Sequence, residues 1–406
     1  MPLDEKDMLD LLTGRTPFFS LPQPLYNDQA LYELDLDLLF GRRWILAGFE
    51  CQIKEPGQFF VVDIGRNSII VVRDEAGGVR GFFNTCRHRG SRICDAESGK
   101  AKRLVCPYHQ WSYKLDGTLA KAPNMHEGFT GEGLDLRPAH VQTIGGTIWL
   151  CLAKQPPDFT THADAVGQFL APHRLADAKV AYTTKAYVNA NWKVVDENSR
   201  ECYHCPTGHP ELLRTFKNDF NRAAPADNPA IAALWRKCEA AGIAAGLVDG
   251  KDFRISRIPF AEGIQSTTLE GKPAVARPLA DLPFPDIGQL RWHHFPSMFG
   301  HVYNDYAMFY RMLPAGQERT LVTATWLVAA DAVEGIDYDL RTLTEVWDLT
   351  NEQDAVLSER NQRGINTDGY VPGPYNKVQE RDVIKFVDWY CETMKDLLTA
   401  GIRELA

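Results

Sequence analysis

Hydrophobic positions change rhythm three times along the chain. Up to about residue 40, Leu31, Leu34, Leu36, Leu38 and Leu39 give a mixed apolar pattern before Trp44, which predicts a helical or loop-like arm. From about Phe59 the texture becomes short β-branched and aromatic runs: FFVVDI, SIIVVRD, VRGFFNT, KRLVCPY and TIWLCLA. Gly and Asp turn signals separate them, so a small antiparallel β domain is expected, ending near Ala153. The stretch KQPPDFTTHAD then reads as a linker, because Pro156 and Pro157 interrupt either regular structure.

Beyond it KAYVNANWKVV is strand-like, and a polar Ala/Pro-rich region covers 222–288. Strand patterns return over 290–312 and 319–330, and a long helix is expected over about 338–362. Within that helix Leu343, Trp347, Asp354, Leu357 and Asn361 recur at helical offsets, which puts Asp354 on the apolar face. The fold class expected is α+β in three parts: an arm over 1–42 packing on the larger domain, an antiparallel β domain over 43–154, and a larger sheet-and-helix domain over 155–406.

A chain of 406 residues is comfortable as two cores, and 44% hydrophobic with 24% charged residues is a globular composition. A formal net charge of -9 argues against a nucleic-acid partner. An acidic start without an apolar signal core, and no spanning apolar run, argue for a cytoplasmic protein that does not engage a membrane. Nine cysteines spread over the chain do not resemble a secreted disulfide framework, so they are expected to be free thiols or metal ligands. Neither G-x-G-x-x-G after a strand nor G-x-x-x-x-G-K-[ST] occurs, so no nucleotide is expected to bind the chain itself.

Candidate chemistry concentrates in two segments. In the first, NTCRHRGSRICDAESGKAKRLVCPYHQWSYKLDG, Cys86 with His88 and Cys106 with His109 each offer one thiolate and one imidazole. Such a set suits a [2Fe–2S] cluster with two His ligands on one iron. Structural zinc is the alternative, although zinc modules usually group Cys with Cys and His with His. Cys94, between the pairs, reads as a small apolar residue.

The second segment, NWKVVDENSRECYHCPTGHPELL, holds Glu201, His204 and His209. On a continuous helix Glu201 and His204 would share a face while His209 would swing about 140° away from His204. Pro206 and Gly208 break the helix and let His209 turn back. Asp354 is the candidate third donor, completing a two-His, one-carboxylate set that leaves positions open on Fe(II). A salt bridge from Asp354 to Arg360 or Arg363 is the structural alternative. Cys202 and Cys205 form a C-x2-C without the context of a thioredoxin or zinc motif.

The first segment resembles the Rieske motif C-x-H-R-G…C-P-Y-H-x-W, also at Arg89, Gly90, Pro107, Tyr108 and Trp111. The second is similar to N-W-K…E-N…[DE]-x2-H-x4-H. Together, in this order, they resemble the α subunits of Rieske non-haem iron oxygenases over essentially the whole chain. That resemblance implies a helix-grip catalytic domain, a [2Fe–2S] cluster on Cys86, His88, Cys106 and His109, and mononuclear iron on His204, His209 and Asp354. It also implies O2 as co-substrate, NAD(P)H electrons through a separate flavin and iron–sulfur reductase, and a homotrimer. In such a trimer Glu201 would bridge a Rieske histidine of a neighbouring subunit, expected to be His109, to an iron-ligating histidine.

Aromatic-ring dioxygenases usually carry Asp where Glu201 stands. R-E-C-Y-H-C-x3-H-P, TATWLVAADAVEGIDYDL, NEQDAVLSERNQRG and YVPGPYNKVQE look like the branch that oxidises quaternary ammonium compounds such as glycine betaine, stachydrine and carnitine. The implied reaction is N-methyl hydroxylation followed by loss of formaldehyde. Cis-dihydroxylation of an aromatic acid and a non-enzymatic electron carrier are the alternatives. For the onium pocket, FPSMFGHVYNDYAMFYRML offers Phe299, Tyr303 and Phe309 in one alternation phase and Tyr306 and Tyr310 in the other, with His301 a donor for a carboxylate.

Overall fold

The structure is a computed structural model that describes residues 3–215, 228–280 and 282–399. The chain forms two compact units, one of residues 40–158 and one that joins 1–39 to 159–406. The arm contributes helices α1 (Glu5–Gly14), α2 (Pro24–Asn27) and α3 (Gln29–Leu34). It is tied into the larger unit by charge: Arg15 pairs with Asp388, and the carboxylate of Asp35 receives Lys193, Trp192 Nε1 at 3.1 Å and Tyr390 OH at 2.7 Å. Asp35 and Lys193 are 0% and 1% exposed, so this pair stands only because hydrogen bonds from every side compensate its lost hydration.

The smaller unit is built mainly of strands. Its main strands are β1 (Ile45–Phe49), β2 (Gln58–Ile64), β3 (Asn67–Arg73), β4 (Val79–Phe83), β5 (Ser98–Lys100), then after a separate ribbon of β6 (Leu104–Val105), β7 (Ser112–Tyr113) and β8 (Leu119–Lys121), β9 (Pro138–Ile144) and β10 (Thr147–Cys151). They pair antiparallel in the order β1-β10-β9-β4-β3-β2-β5. The apolar runs read from the sequence supply its core, where Phe59, Ile70, Val72 and Phe82 meet Cys86, Cys106, Trp111 and Tyr113.

In the larger unit the linker is shorter than expected, because α4 (Thr160–Leu170) already begins inside KQPPDFTTHAD. KAYVNANWKVV is not one strand: β11 (Lys179–Val188) ends before Asn191, whose side chain accepts Lys193 N at 3.0 Å and starts helix α5 (Trp192–Ser199). An N-cap of this kind contributes about 1 kcal/mol and overrides the β-branched pair that follows. A single turn, α6 (Cys205–Gly208), comes next. Of the 222–288 region, residues 222–227 and 281 lie outside the described residues, and the rest contains α7 (Pro229–Ala240), β12 (Leu247–Asp249) and β13 (Phe253–Ile258). β14 (Gln289–His294), β15 (Met298–Val302), β16 (Ala307–Gly316) and β17 (Arg319–Val328) complete an antiparallel sheet ordered β11-β17-β16-β15-β14-β13-β12. The long helix is α8 (Leu340–Ile365), capped by the Asp339 carboxylate on Thr342 N at 3.0 Å, and α9 (Arg381–Thr399) closes the described chain.

Register decides which side chains meet. Arg291 on β14 lies opposite both Ser256 and His301, and Phe299 on β15 lies opposite both His293 and Tyr310. These share one face of the sheet, and α8 lies against it, with Trp347 4.4 Å from the ring of His301 and Asn351 receiving Tyr310 OH at 2.5 Å. Phe309 pairs with Gly300 and points the other way, where it meets Trp292 edge-on at 6.2 Å. The grouping of Phe309 with Phe299 and Tyr303 is therefore corrected. A turn closed by Tyr303 N on Tyr306 O at 2.9 Å separates β15 from β16 and resets the alternation.

Candidate cluster loops and mononuclear metal site

The smaller unit holds two loops of the same design. Cys86 N donates to Ser91 O at 2.8 Å and Gly90 N to Cys86 O at 2.9 Å, while Cys106 N donates to Trp111 O at 2.8 Å and Gln110 N to Cys106 O at 3.1 Å. Both loops turn through a residue of positive φ four positions after the Cys, Gly90 at +80° and Gln110 at +60°. Their tips bring the rings of His88 and His109 to 4.7 Å between centroids, and Trp111 stacks on His88 at 4.9 Å and 7°. The Nδ1 atom of His88 is buried without a hydrogen-bond partner in the structure, as a metal-ligating nitrogen would be. Tyr113 OH sits 3.4 Å from Cys86 Sγ and accepts Arg87 N at 3.0 Å, a contact to a candidate ligand sulfur that sequence spacing does not reveal. Buried thiols, two imidazoles and a donor to sulfur fit an iron–sulfur cluster. Cys94 is partly buried against the same core, its thiol pushed up to about 11 by burial.

In the larger unit Glu201 and His204 do not share a helix. α5 ends at Ser199, and Glu201 folds back on the loop, accepting Tyr203 N and, at 3.3 Å, His204 N. This local capping competes successfully with further helix. Its other carboxylate oxygen receives His204 Nδ1, which leaves Nε2 as the outward atom. His209 is fixed in the same sense: Nδ1 lies 2.8 Å from Gln353 Oε1, and Gln353 Nε2 in turn donates to Glu211 at 3.1 Å.

The two Nε2 atoms stand 2.9 Å apart, and Asp354 Oδ1 lies 2.9 Å from His209 Nε2 and 3.2 Å from His204 Nε2. Asp354 thus meets the two histidines rather than Arg360 or Arg363. Cys205 also falls among the donor atoms, but its sulfur is joined to Cys202 in a disulfide and offers no thiolate. The expectation of free thiols or ligands is corrected for this pair, whose Cα atoms stand 4.9 Å apart in the loop that leads into α6.

Charge follows geometry. Burial opposes protonation of His204, but bonds to Asp354 and Glu201 outweigh it and lift its pKa to about 9; His209 is raised in the same way by Asp354. Burial would raise Asp354, yet the two imidazoles hold it below the usual carboxylate range. Two imidazole nitrogens and a carboxylate oxygen converging on one point, each imidazole pinned at its other nitrogen, are a facial set able to hold Fe(II).

A cavity of about 300 Å³ opens on this set. His204, His209 and Asp354 line it together with Phe299, His301, Tyr310 and Trp347 on one side and Gln289 and Arg291 on another. Of the aromatic candidates, Phe299 and His301 reach the cavity, Phe309 is on the opposite face, and Tyr303 is enclosed in the core against Tyr306 at 4.7 Å and Phe260 at 5.9 Å. Trp347 is the cavity residue most accessible to sequence reasoning, since it precedes Asp354 by two helical turns on the same apolar face.

Residues 175–396 match the ring hydroxylating alpha subunit catalytic domain, and residues 43–144 match the Rieske [2Fe-2S] domain. The chain belongs to the Rieske oxygenase α subunits. Glycine betaine monooxygenase oxygenase subunits are similar along nearly the full length: that of Pseudomonas aeruginosa UCBPP-PA14 is 43% identical over 99% of this chain and 96% of its own. That of Chromohalobacter salexigens is 44% identical over 96% of this chain and 89% of its own. Among solved structures, a quaternary ammonium Rieske monooxygenase in complex with L-carnitine shares the fold, with a TM-score of 0.70, 21% identity, and 97% and 99% coverage of the two chains.

This Rieske oxygenase is an oxidoreductase whose cofactors are a [2Fe–2S] cluster and non-haem iron, with O2 as co-substrate and electrons supplied through a reductase. Among its described residues no helix is long and apolar enough to cross a membrane.

Proposed function

We propose that this oxygenase removes an N-methyl group from a quaternary ammonium betaine, with glycine betaine the first substrate to test. The observation that carries the reading is one small cavity that joins the His204, His209 and Asp354 donor set to an aromatic wall of Phe299, Tyr310 and Trp347. A quaternary ammonium has no N–H to donate, so aromatic faces hold it, each contributing about 0.5 to 2 kcal/mol. His301 adds a ring without adding charge, because burial drives its pKa well below the ordinary value and keeps it neutral. The two relatives described above are glycine betaine monooxygenase subunits, which supports the same class of substrate here.

Cys86, His88, Cys106 and His109 would hold the cluster, and His204, His209 and Asp354 the iron. The bound groups would supply electron storage and O2 activation. The reaction balances as one N-methyl, one O2, two electrons and two protons giving an N-hydroxymethyl group and water. The N-hydroxymethyl group then collapses to formaldehyde and the demethylated amine. The protein's part is to place one methyl toward the donor set and keep the cavity dry.

Glu201, held to His204, would also bridge to His109 of a neighbouring subunit in a homotrimer and so lie on the electron route. A separate reductase would feed this assembly, whose proposed location is cytoplasmic. The test is a screen of methylated ammonium compounds with a competent reductase. Formaldehyde from betaines and no diol from aromatic acids is the expected result; the reverse overturns the reading in favour of ring dihydroxylation.

A further inference from the structure

The cavity wall one strand beyond the aromatic ring cluster carries hydrogen-bond donors. Gln289 and Arg291 alternate on the cavity face of β14, and His301 stands directly across from Arg291 on β15. Arg291 Nε donates to Gln289 Oε1 at 3.2 Å, which turns the amide nitrogen of Gln289 away from the guanidinium. That nitrogen is buried and has no hydrogen-bond partner in the structure, and neither has either ring nitrogen of His301. Gln289 is 1% exposed and His301 4% exposed. Buried polar atoms left in this state are rare in folded proteins, and three of them on one cavity wall point to something that belongs there.

Other arginines that line the cavity stand in ion pairs. Arg200 makes a two-pronged pair with Asp196, and Arg254 pairs with Asp382, to which Arg381 also lies close.

We propose that Gln289, Arg291 and His301 receive the carboxylate of the substrate, so that the cavity recognises a zwitterion: onium on the aromatic wall, anion on the donor wall. This deepens the function proposed above and rests on it. A guanidinium, an amide N–H and an imidazole N–H offer a planar anion three donors and one charge, whereas a hydroxyl could use few of them. The sheet sets the span. Tyr310, Phe299 with His301, and Arg291 lie on three adjacent strands, about 4.8 Å from one to the next. A short betaine can therefore touch the aromatic and donor walls together. The same Arg291 repels a bare onium cation, so choline and tetramethylammonium are disfavoured by charge as well as by missing contacts.

The test is calorimetric titration of the holoprotein with glycine betaine, choline and tetramethylammonium, for wild type, R291Q, R291K and H301F, each also assayed for formaldehyde. R291Q is expected to weaken glycine betaine about 10- to 100-fold, the range for losing a charged hydrogen bond. Tetramethylammonium should bind R291Q at least as well as wild type, which also shows that the variant is folded. R291K should fall between wild type and R291Q, and H301F should weaken glycine betaine alone. The carboxylate clamp is overturned, and the demethylase reading left standing, if wild type binds and demethylates glycine betaine while R291Q changes its affinity by less than about threefold or weakens tetramethylammonium equally. Wild type that binds none of the three and releases no formaldehyde overturns the demethylase reading, and the clamp with it.

Discussion

Replacing Glu201 separates its grip on His204 from its proposed place in electron transfer. One carboxylate oxygen receives His204 Nδ1, and the other caps the backbone at Tyr203 and His204, so a single side chain fixes both the imidazole tautomer and the loop that carries it. Loss of such a partner typically costs about 10- to 100-fold in metal affinity, or about 1.4 to 2.7 kcal/mol. E201L removes both contacts and is expected at the upper end; E201Q keeps an amide oxygen for Nδ1–H and is expected near the lower end. The assay is competition for Fe(II) against a chromophoric chelator, with cluster absorbance in the same sample as the loading control. E201L that retains iron as tightly as wild type would refute the tautomer argument. E201Q that keeps its iron and its cluster yet loses turnover would isolate the electron-bridging role.

Other outcomes follow from single contacts. W347A removes the largest aromatic face of the cavity, and glycine betaine should bind more weakly by about 0.5 to 2 kcal/mol in the same calorimetric titration. D35N leaves Lys193 charged and buried and should lower unfolding free energy by about 3 to 5 kcal/mol in a denaturant titration, with a change under 1 kcal/mol contradicting the buried-pair account. His162, buried among Phe159, Phe253, Trp292 and His294, has its pKa lowered to about 2 by burial, then by His294. The unfolded chain gains this proton near pH 6.5 and the folded chain does not, so stability is full above pH 6.5 and falls as pH drops below it. By pH 5 the loss at this one site is on the order of 2 kcal/mol, and H162F should flatten the melting profile across that window.

Much of the candidate site was legible because residue types able to ligate a metal sit at fixed local spacings. Cys86 with His88, Cys106 with His109, and His204 with His209 each lie within one loop, and loop chemistry is written in adjacent residues. Asp354 was found from the apolar stripe of its helix. What escaped depends on tertiary register. Gln353 next to Asp354 looked like any polar helix residue until it met His209, and Gln289 and Arg291 looked like ordinary strand polar positions until the sheet turned them toward the cavity. Phe309 was misplaced because alternation cannot be carried across a turn whose length the pattern does not show. WKVV read as strand because propensity is local, whereas its helix is set by the Asn191 cap and by burial of Trp192 and Lys193 against the arm's Asp35.

The central claim is that the donor set and the aromatic wall act on one substrate methyl. It is tested most directly by measuring O2 uptake and product formation together during turnover of trideuteromethyl-labelled glycine betaine with reductase. Deuterated formaldehyde and the demethylated amine should appear one for one with the O2 consumed. Betaine-stimulated O2 consumption without formaldehyde, or a cis-diol formed from an aromatic acid in its place, would contradict the account.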